Sequence, residues 1–130
     1  MLPIWILIAA VDGAAFVVIG AAGSHGVIAD PSLGRLFDTA SDNHAVHALA
    51  LLAIGFAGGR LNGAARGLVH TAAAAFLIGS GLFSGLLYFH AFAGSSPLPW
   101  LTPIGGALMI LGWLALAAAG AVTLRRSPAD

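Results

Sequence analysis

Four long apolar stretches account for most of this 130-residue sequence. They are separated by polar or Gly- and Pro-rich breaks, and they cover residues 2–23, 43–59, 67–93 and 103–124. An α-helix needs roughly 20 residues to cross about 30 Å of hydrocarbon, and a lipid-exposed strand would leave backbone groups without hydrogen bonds. The sequence therefore predicts an all-α integral membrane protein, a compact bundle of four transmembrane helices in a single membrane domain over 1–130.

The composition supports this class of protein. Only 8% of the residues are charged and 59% are hydrophobic, whereas soluble domains carry roughly 25% charged residues. The five cationic residues are scattered along the chain and the formal net charge is zero, so the basic stripe of a nucleic-acid-binding protein is absent. Cysteine is also absent. Disulfides, iron–sulfur clusters and thiolate chemistry are thereby excluded, and any metal or haem would need nitrogen or oxygen ligands.

The arginines predict the orientation in the membrane. Arg60 and Arg66 lie between the second and third stretches, Arg125 and Arg126 follow the fourth, and only Arg35 lies on the opposite side. Because cytoplasmic loops are enriched in Lys and Arg, we expect a multi-pass protein of the bacterial inner membrane with both termini in the cytoplasm. The first stretch has no basic leader, so we expect a retained helix, with a cleaved signal peptide as the alternative.

The segment between the first two stretches predicts a short amphipathic helix over about 31–42. Asp30 followed by Pro31 is a favourable helix start, because the carboxylate caps the first turn and the proline ring is already held at a helical φ. Apolar residues then recur at helical spacing, with the charged residues elsewhere on the helix. We expect this helix to lie in the outer interface and to run, with a bend, into the second transmembrane helix.

Small residues predict where the helices pack. In lipid, helices associate where small side chains allow their backbones to approach closely, and the spacing of Gly81 and Gly85, overlapping that of Ser80 and Ser84, permits this. The third helix is therefore expected to be the packing centre. The candidate packing residues are Gly81, Gly85, Gly105 and Gly106.

Four motifs, in order along the chain, resemble those of one known family. They are GAAGSHG at 20–26, HALALL at 47–52, FSGLLY at 83–88, and TPIGG at 102–106 with GW at 112–113. The chain resembles the domain-of-unknown-function family 423, which comprises small bacterial inner-membrane proteins and has a mitochondrial membrane relative. The resemblance implies a compact multi-helix membrane protein, and it implies no activity, cofactor or catalytic residue.

The sequence both follows and departs from the pattern of that family. The pattern has a histidine at the positions of His25 and His47. An aromatic residue is usual at Ala22, and an aromatic residue followed by Gln is usual at Asn43 and His44. Asp12 is also atypical for its position. Hypotheses built on Asp12 or His44 therefore concern this protein and not the family.

Four histidines are predicted to lie at the outer ends of the helices. His44 and His47 are three residues apart and share a helix face. Several imidazoles at one depth could hold zinc, copper or nickel, and a pair on facing helices could hold a b-type haem. No H-x-x-x-H or H-E-x-x-H motif supports ligation, so structural hydrogen bonding and proton handling are the alternatives. The candidate ligands are His25, His44, His47 and His90.

Asp12 lies about halfway along the first apolar stretch. An ionised carboxylate at that depth costs on the order of several kcal/mol, so we expect Asp12 to be protonated or to face the bundle interior. One interpretation is a neutral side chain that holds neighbouring helices together. The other is a proton or cation relay in which His70 is the only partner toward the inner face. The candidate hydrogen-bonding partners are Ser80, Ser84 and the indole N–H of Trp113.

These patterns favour a structural or accessory role. The protein is expected to be a small subunit that associates with itself or with a larger membrane complex, in contact with the lipid bilayer. No catalytic residue is predicted, and a hydrolase is not expected because no G-x-S-x-G motif is present. The first alternative is a metal- or haem-binding membrane protein that uses the outer-face histidines. The second is a small proton or cation conductor through Asp12.

Overall fold

The chain folds as a set of long helices. The computed structural model describes residues 1–24 and 26–125. They form α1 (Pro3–Ser24), α2 (Pro31–Ala57), α3 (Gly63–Ala93) and α4 (Leu101–Leu124), with a short 3₁₀ turn (Gly58–Arg60) after α2. By length and composition, α1, α3 and α4 could each cross a membrane. The predicted all-helical architecture is confirmed, whereas a fourth spanning helix stays a prediction.

α2 is a single continuous helix. The sequence predicted a helix over about 31–42 that runs, with a bend, into a second helix over 43–59, and the structure joins both segments in Pro31–Ala57. Polar residues at the junction are compatible with a helix because their side chains bond to carbonyls one turn earlier. Ser41 Oγ donates to the Phe37 carbonyl at 2.9 Å. The N-terminal half of α2 is therefore polar without being a separate element.

The start of α2 is capped as the sequence predicts. Asp30 Oδ1 accepts hydrogen bonds from the backbone N–H of Ser32 at 2.7 Å and from that of Leu33 at 3.4 Å. Pro31 occupies the first helical turn, where its missing N–H is not needed. The hydrogen bonds from the Ser32 side chain and backbone hold the pKa of the exposed Asp30 carboxyl below its usual value. The cap is therefore strongest when Asp30 is ionised.

α3 is the packing centre of the described residues, because it lies against both α2 and α4. Phe76 of α3 is fully buried, and it joins Leu51 of α2 and Ala119 of α4 in the main apolar cluster. The N-terminal end of α1 is tied to the end of α2, where the Leu2 N–H donates to the Gly55 carbonyl at 2.7 Å. Only Ala9 is buried within α1. Among the four long helices, α1 is therefore the one that the other described residues cover least.

The closest approach of α3 and α4 occurs at Gly79 and Gly105. A Cβ on Gly105 would lie 2.6 Å from the Phe83 nitrogen, and one on Gly79 would lie 2.8 Å from the Gly105 oxygen. Only glycine allows backbone contacts this short. Gly105 is one of the candidate packing residues from the sequence, whereas Gly79 was not among them.

Gly81 and Gly85 lie elsewhere on α3. Nothing is within 4 Å of a Cβ built on either residue, because at about 100° per residue both point well away from the Gly79 side. Gly106, the remaining candidate, meets Phe83 at an ordinary distance of 3.7 Å. The contact of α3 with α4 therefore lies at Gly79, and packing of another helix at Gly81 and Gly85 stays a prediction.

Candidate functional site

A polar pair of one buried and one half-buried side chain joins α1 to α2. Nε2 of His44 lies 3.2 Å from Oδ1 of Asp12, within hydrogen-bonding distance. Asp12 faces the interior, as expected, but its partner is His44 and not Ser84 or Trp113. His44 was expected at the outer end of a helix. It lies 13 residues after Pro31, about 20 Å into the continuous α2, which brings it level with the middle of α1.

The polar contacts continue from His44 to α3 and back to α2. Nδ1 of His44 lies 3.4 Å from the Tyr88 hydroxyl group. The Tyr88 hydroxyl group donates to Ser41 Oγ at 3.3 Å, and Ser41 donates to the Phe37 carbonyl. Ser41 was not among the predicted site residues. Its spacing of three from His44 places both side chains on one face of α2, a signal that could have identified it.

The hydroxyl hydrogen of Tyr88 permits two arrangements of this chain. If it points to Ser41, Nδ1–H of His44 donates to Tyr88, and one further proton is shared between Nε2 and Asp12. If it points to Nδ1, a neutral His44 donates Nε2–H to an ionised Asp12, and the pair carries a charge of −1. The first arrangement is neutral overall, whereas the second needs a positive charge nearby.

A cavity of about 90 Å³ adjoins the pair among α1, α2 and α3. Among the described residues, three buried side-chain oxygen atoms have no hydrogen-bond partner: Asp12 Oδ2, Ser84 Oγ and Ser96 Oγ. Asp12 and Ser84 line this cavity. Ser84 is only 2% exposed. The remaining lining residues are Ile19, His44, Ser80, Gly81, Gly85 and Tyr88. The site therefore combines a carboxylate, an imidazole and several hydroxyl groups around a small space.

His47 makes a separate set of contacts on another side of α2. Nδ1 lies 2.7 Å from the Asn43 carbonyl, and Nε2 accepts from the indole N–H of Trp113 at 3.2 Å. A carbonyl only accepts and an indole N–H only donates, so these partners select the neutral imidazole with its hydrogen on Nδ1. Both ring nitrogens are engaged, and neither is free to bind a metal ion.

The candidate metal ligands do not gather in the described part of the chain. His44 and His47 contact different partners, and His90 lies half-buried in the last turn of α3. Within residues 1–24 and 26–125, no three His, Asp or Glu side chains form a group that could hold a metal ion. His25 lies outside the described residues, so a ligand set that includes it stays a prediction.

The side of Asp12 toward the N-terminal end of α1 is apolar. His70, the predicted inward partner, accepts a hydrogen bond at Nδ1 from the Trp5 indole at 2.9 Å. Between the levels of that contact and of Asp12, Ala9 of α1 and Ala73 of α3 belong to the buried apolar cluster. The polar contacts run from Asp12 through His44 and Tyr88 to Ser41. Conduction through Asp12 stays a prediction.

The long apolar helices and the internal polar chain define a small helical membrane protein. Residues 19–106 match the model of the family described as protein of unknown function (DUF423). The chain belongs to this family, and the resemblance noted from its motifs is confirmed. The matched segment contains His44, Ser84 and Tyr88 but stops short of Asp12, so the Asp12–His44 pair extends beyond the part shared with the family model.

Bacterial relatives match over nearly their whole length. A UPF0382 membrane protein of Haemophilus influenzae is 36% identical over 115 residues, which are 87% of this chain and 90% of the relative. YwdK of Bacillus subtilis, a UPF0382 membrane protein, is 33% identical over 91% of this chain and 96% of its own. The UPF0382 inner membrane protein YgdD of Escherichia coli K12 is 30% identical, and the match covers 93% of this chain and 91% of YgdD. No solved structure matches.

Proposed function

We propose that this protein is a structural or accessory subunit of the bacterial inner membrane, which associates with another copy of itself or with a larger membrane complex. The observation that carries the proposal is the open face of α3 at Gly81 and Gly85. These glycines have the four-residue spacing at which helices approach closely in lipid. Both are exposed, and no described residue lies within 4 Å of a Cβ built on either, although both also line the cavity beside Asp12. A helix of another subunit would fit there.

The sparse burial of α1 supports the same role. Of the 22 residues of α1, only Ala9 is buried, and α1 packs mainly on α2. Lipid alone can cover apolar side chains, but a helix with so little cover inside its own chain also offers a large surface to a partner. The exposed large side chains of α1 are Ile4, Leu7, Val11, Val17 and Val18.

Blue-native electrophoresis at natural expression tests this role. We expect the protein to migrate in a species larger than the 13.0 kDa chain with its detergent or lipid. Gly81→Leu should reduce that species, because the new side chain fills the open face. Gly120→Leu on α4 is the matched control, since its surroundings are equally open. A wild-type protein that migrates only as a free monomer would contradict the proposal.

The proposed topology is four membrane-spanning helices with both termini in the cytoplasm. It is supported by the three apolar helices, by the 27-residue length of α2, and by Arg60 and Arg66 in or close to the turn between α2 and α3. Relatives named as inner membrane proteins support the location. Arg126 lies outside the described residues.

Single-cysteine labelling tests the topology cleanly, because the natural chain has no cysteine. Ser95→Cys, in the turn between α3 and α4, should react with a membrane-impermeant maleimide in spheroplasts. Asn62→Cys, just before α3, should react only after the membrane is permeabilised. The opposite labelling pattern would show the inverted orientation. Val27→Cys, just before α2, should react like Ser95→Cys. If it reacts only after permeabilisation, like Asn62→Cys, α2 does not span the membrane.

A further inference from the structure

We propose that the cavity among α1, α2 and α3 binds one small monovalent cation, with sodium as the representative ion, between the Asp12 carboxylate and the Ser84 hydroxyl group. The cavity of about 90 Å³ has room for about three water molecules at roughly 30 Å³ each. It therefore suits a bare or partly hydrated ion and is too small for a large organic ligand.

Two oxygen atoms are available to such an ion. Asp12 Oδ2 and Ser84 Oγ are buried, and neither has a hydrogen-bond partner in the described structure. A buried polar atom without a partner is costly, and the low dielectric of a membrane interior increases that cost. Both atoms belong to residues that line the same cavity, and Ser80 adds a second hydroxyl group to its wall. A ligand in the cavity would satisfy all of these oxygens.

The contacts of His44 leave Oδ2 of Asp12 free. His44 binds Oδ1 through Nε2, and Tyr88 holds its ring from the other side. In the arrangement where Tyr88 donates to Nδ1, His44 is neutral and the pair carries a charge of −1. A single positive charge at Oδ2 would make the site neutral, which is the favourable state inside a membrane. In the other arrangement, a proton shared between His44 and Asp12 already neutralises the carboxylate. The proton and the bound cation are thus alternatives at Asp12.

The donor set selects the class of ion. Carboxylate and hydroxyl oxygens are hard ligands, which favour alkali and alkaline-earth ions over zinc or copper. Asp12 is the one carboxylate that lines the cavity, so a divalent ion would leave an unbalanced positive charge in a low-dielectric site. A monovalent ion avoids this cost.

The test is thermal unfolding of the purified full chain in mild detergent, in sodium chloride and in choline chloride at equal ionic strength. Choline has the same charge, but its methyl groups keep oxygen ligands from coordinating the charged nitrogen. We expect sodium to raise the wild-type unfolding midpoint by about 3–6 °C at roughly ten times its dissociation constant. Asp12→Asn should abolish the rise. Ser84→Ala should increase the half-saturating sodium concentration by about tenfold or more.

Two control variants separate binding in the cavity from general effects of salt. Asp38→Asn removes an exposed carboxylate of α2, and Ser24→Ala removes an exposed hydroxyl group of α1. Both should keep the full response to sodium. Line broadening of the sodium-23 resonance gives a second readout of binding. It should be largest for the wild type and the two controls, smaller for Ser84→Ala, and absent for Asp12→Asn.

Three outcomes would overturn the proposal. Equal wild-type midpoints in sodium and choline would mean that the cavity holds water only. A sodium response of full size in Asp12→Asn would place the ion elsewhere. If Asp12→Asn does not fold, an unchanged half-saturating concentration in Ser84→Ala would be decisive against the site. Gly81 and Gly85 also line the cavity. Assembly is therefore tested by electrophoresis at constant sodium concentration, and sodium binding is tested by Asp12→Asn and Ser84→Ala, which leave both glycines in place.

Discussion

The indole N–H of Trp113 on α4 donates to Nε2 of His47 on α2 at 3.2 Å. His47 is buried, and its other ring nitrogen is held by the Asn43 carbonyl. The ring therefore cross-links two helices through a fixed neutral tautomer, with the centroid of its ring 5.2 Å from that of Phe76 on α3. The motifs singled out His25 and His47, and these contacts explain His47 as a structural hydrogen-bonding group.

Trp113→Phe should therefore destabilise the bundle. The phenyl ring keeps most of the apolar contact but leaves Nε2 of the buried His47 without a donor, which costs about 1–3 kcal/mol. Equilibrium unfolding in mixed detergent, followed by circular dichroism, measures the loss. Trp100→Phe is the control, because Trp100 is 61% exposed and makes no such bond. Equal stability of the two variants would argue against a structural role for the indole contact.

The Asp12–His44 pair should show energetic coupling in a double-mutant cycle. Asp12→Ala leaves His44 without its carboxylate partner, and His44→Phe leaves Asp12 without its ring partner. Since each single change removes the same contact, we expect a coupling free energy of about 0.5–3 kcal/mol from the unfolding of the four proteins. A second cycle combines His44→Phe with Asp38→Ala, on the exposed surface of α2. The changes in unfolding free energy of these two variants should be additive. Additivity in the first cycle would rule out a direct interaction.

Two adjacent glycines of α4 should differ sharply in their tolerance of a methyl group. Gly105→Ala places its Cβ 2.6 Å from the Phe83 nitrogen, whereas Gly106→Ala places it 3.7 Å from the Phe83 ring. Overpacking of this kind costs typically about 1–3 kcal/mol. We therefore expect a lower unfolding free energy for Gly105→Ala and little change for Gly106→Ala. If both variants unfold like the wild type, α3 and α4 are not in backbone contact.

The cap at Asp30 should weaken in acid. Its hydrogen bonds to Ser32 and Leu33 hold the folded pKa below the ordinary value of 3.8. A depressed folded pKa means that the stabilisation is present above the unfolded pKa and is lost as the pH falls through the folded pKa. Hydrogen exchange at the Leu33 amide should therefore show falling protection below about pH 4. Asp30→Asn should remove this pH dependence while keeping a cap, and unchanged dependence would assign it to another group.

Local sequence signals predicted local structure well. Asp30 and Pro31 identified the start of α2, because an N-cap and its first turn involve only neighbouring residues. Local signals also predicted that the segment over 31–42 runs on into the next helix, and α2 continues from Pro31 to Ala57 with side chains such as Ser41 bonded to their own helix. The contact of His44 with Asp12 was missed because it depends on how α1 and α2 lie against each other, which no local signal records.

The sequence by itself determined the class of the molecule. Length, hydropathy and the scarcity of charge leave long helices in a membrane as the available solution, since every backbone group in lipid must be satisfied within a helix. The motifs determined the family. These properties are sums over many residues, and they do not depend on how one helix is rotated against the next.

Only the tertiary structure decided which polar residues meet. Whether Asp12 faces His44 or Trp113, and whether Gly79 or Gly81 touches α4, depends on the rotation and depth of each helix. A turn of about 100° per residue moves a side chain to another neighbour, and packing across the whole interface sets that rotation. The candidate site is therefore a product of helix packing, which no single motif encodes.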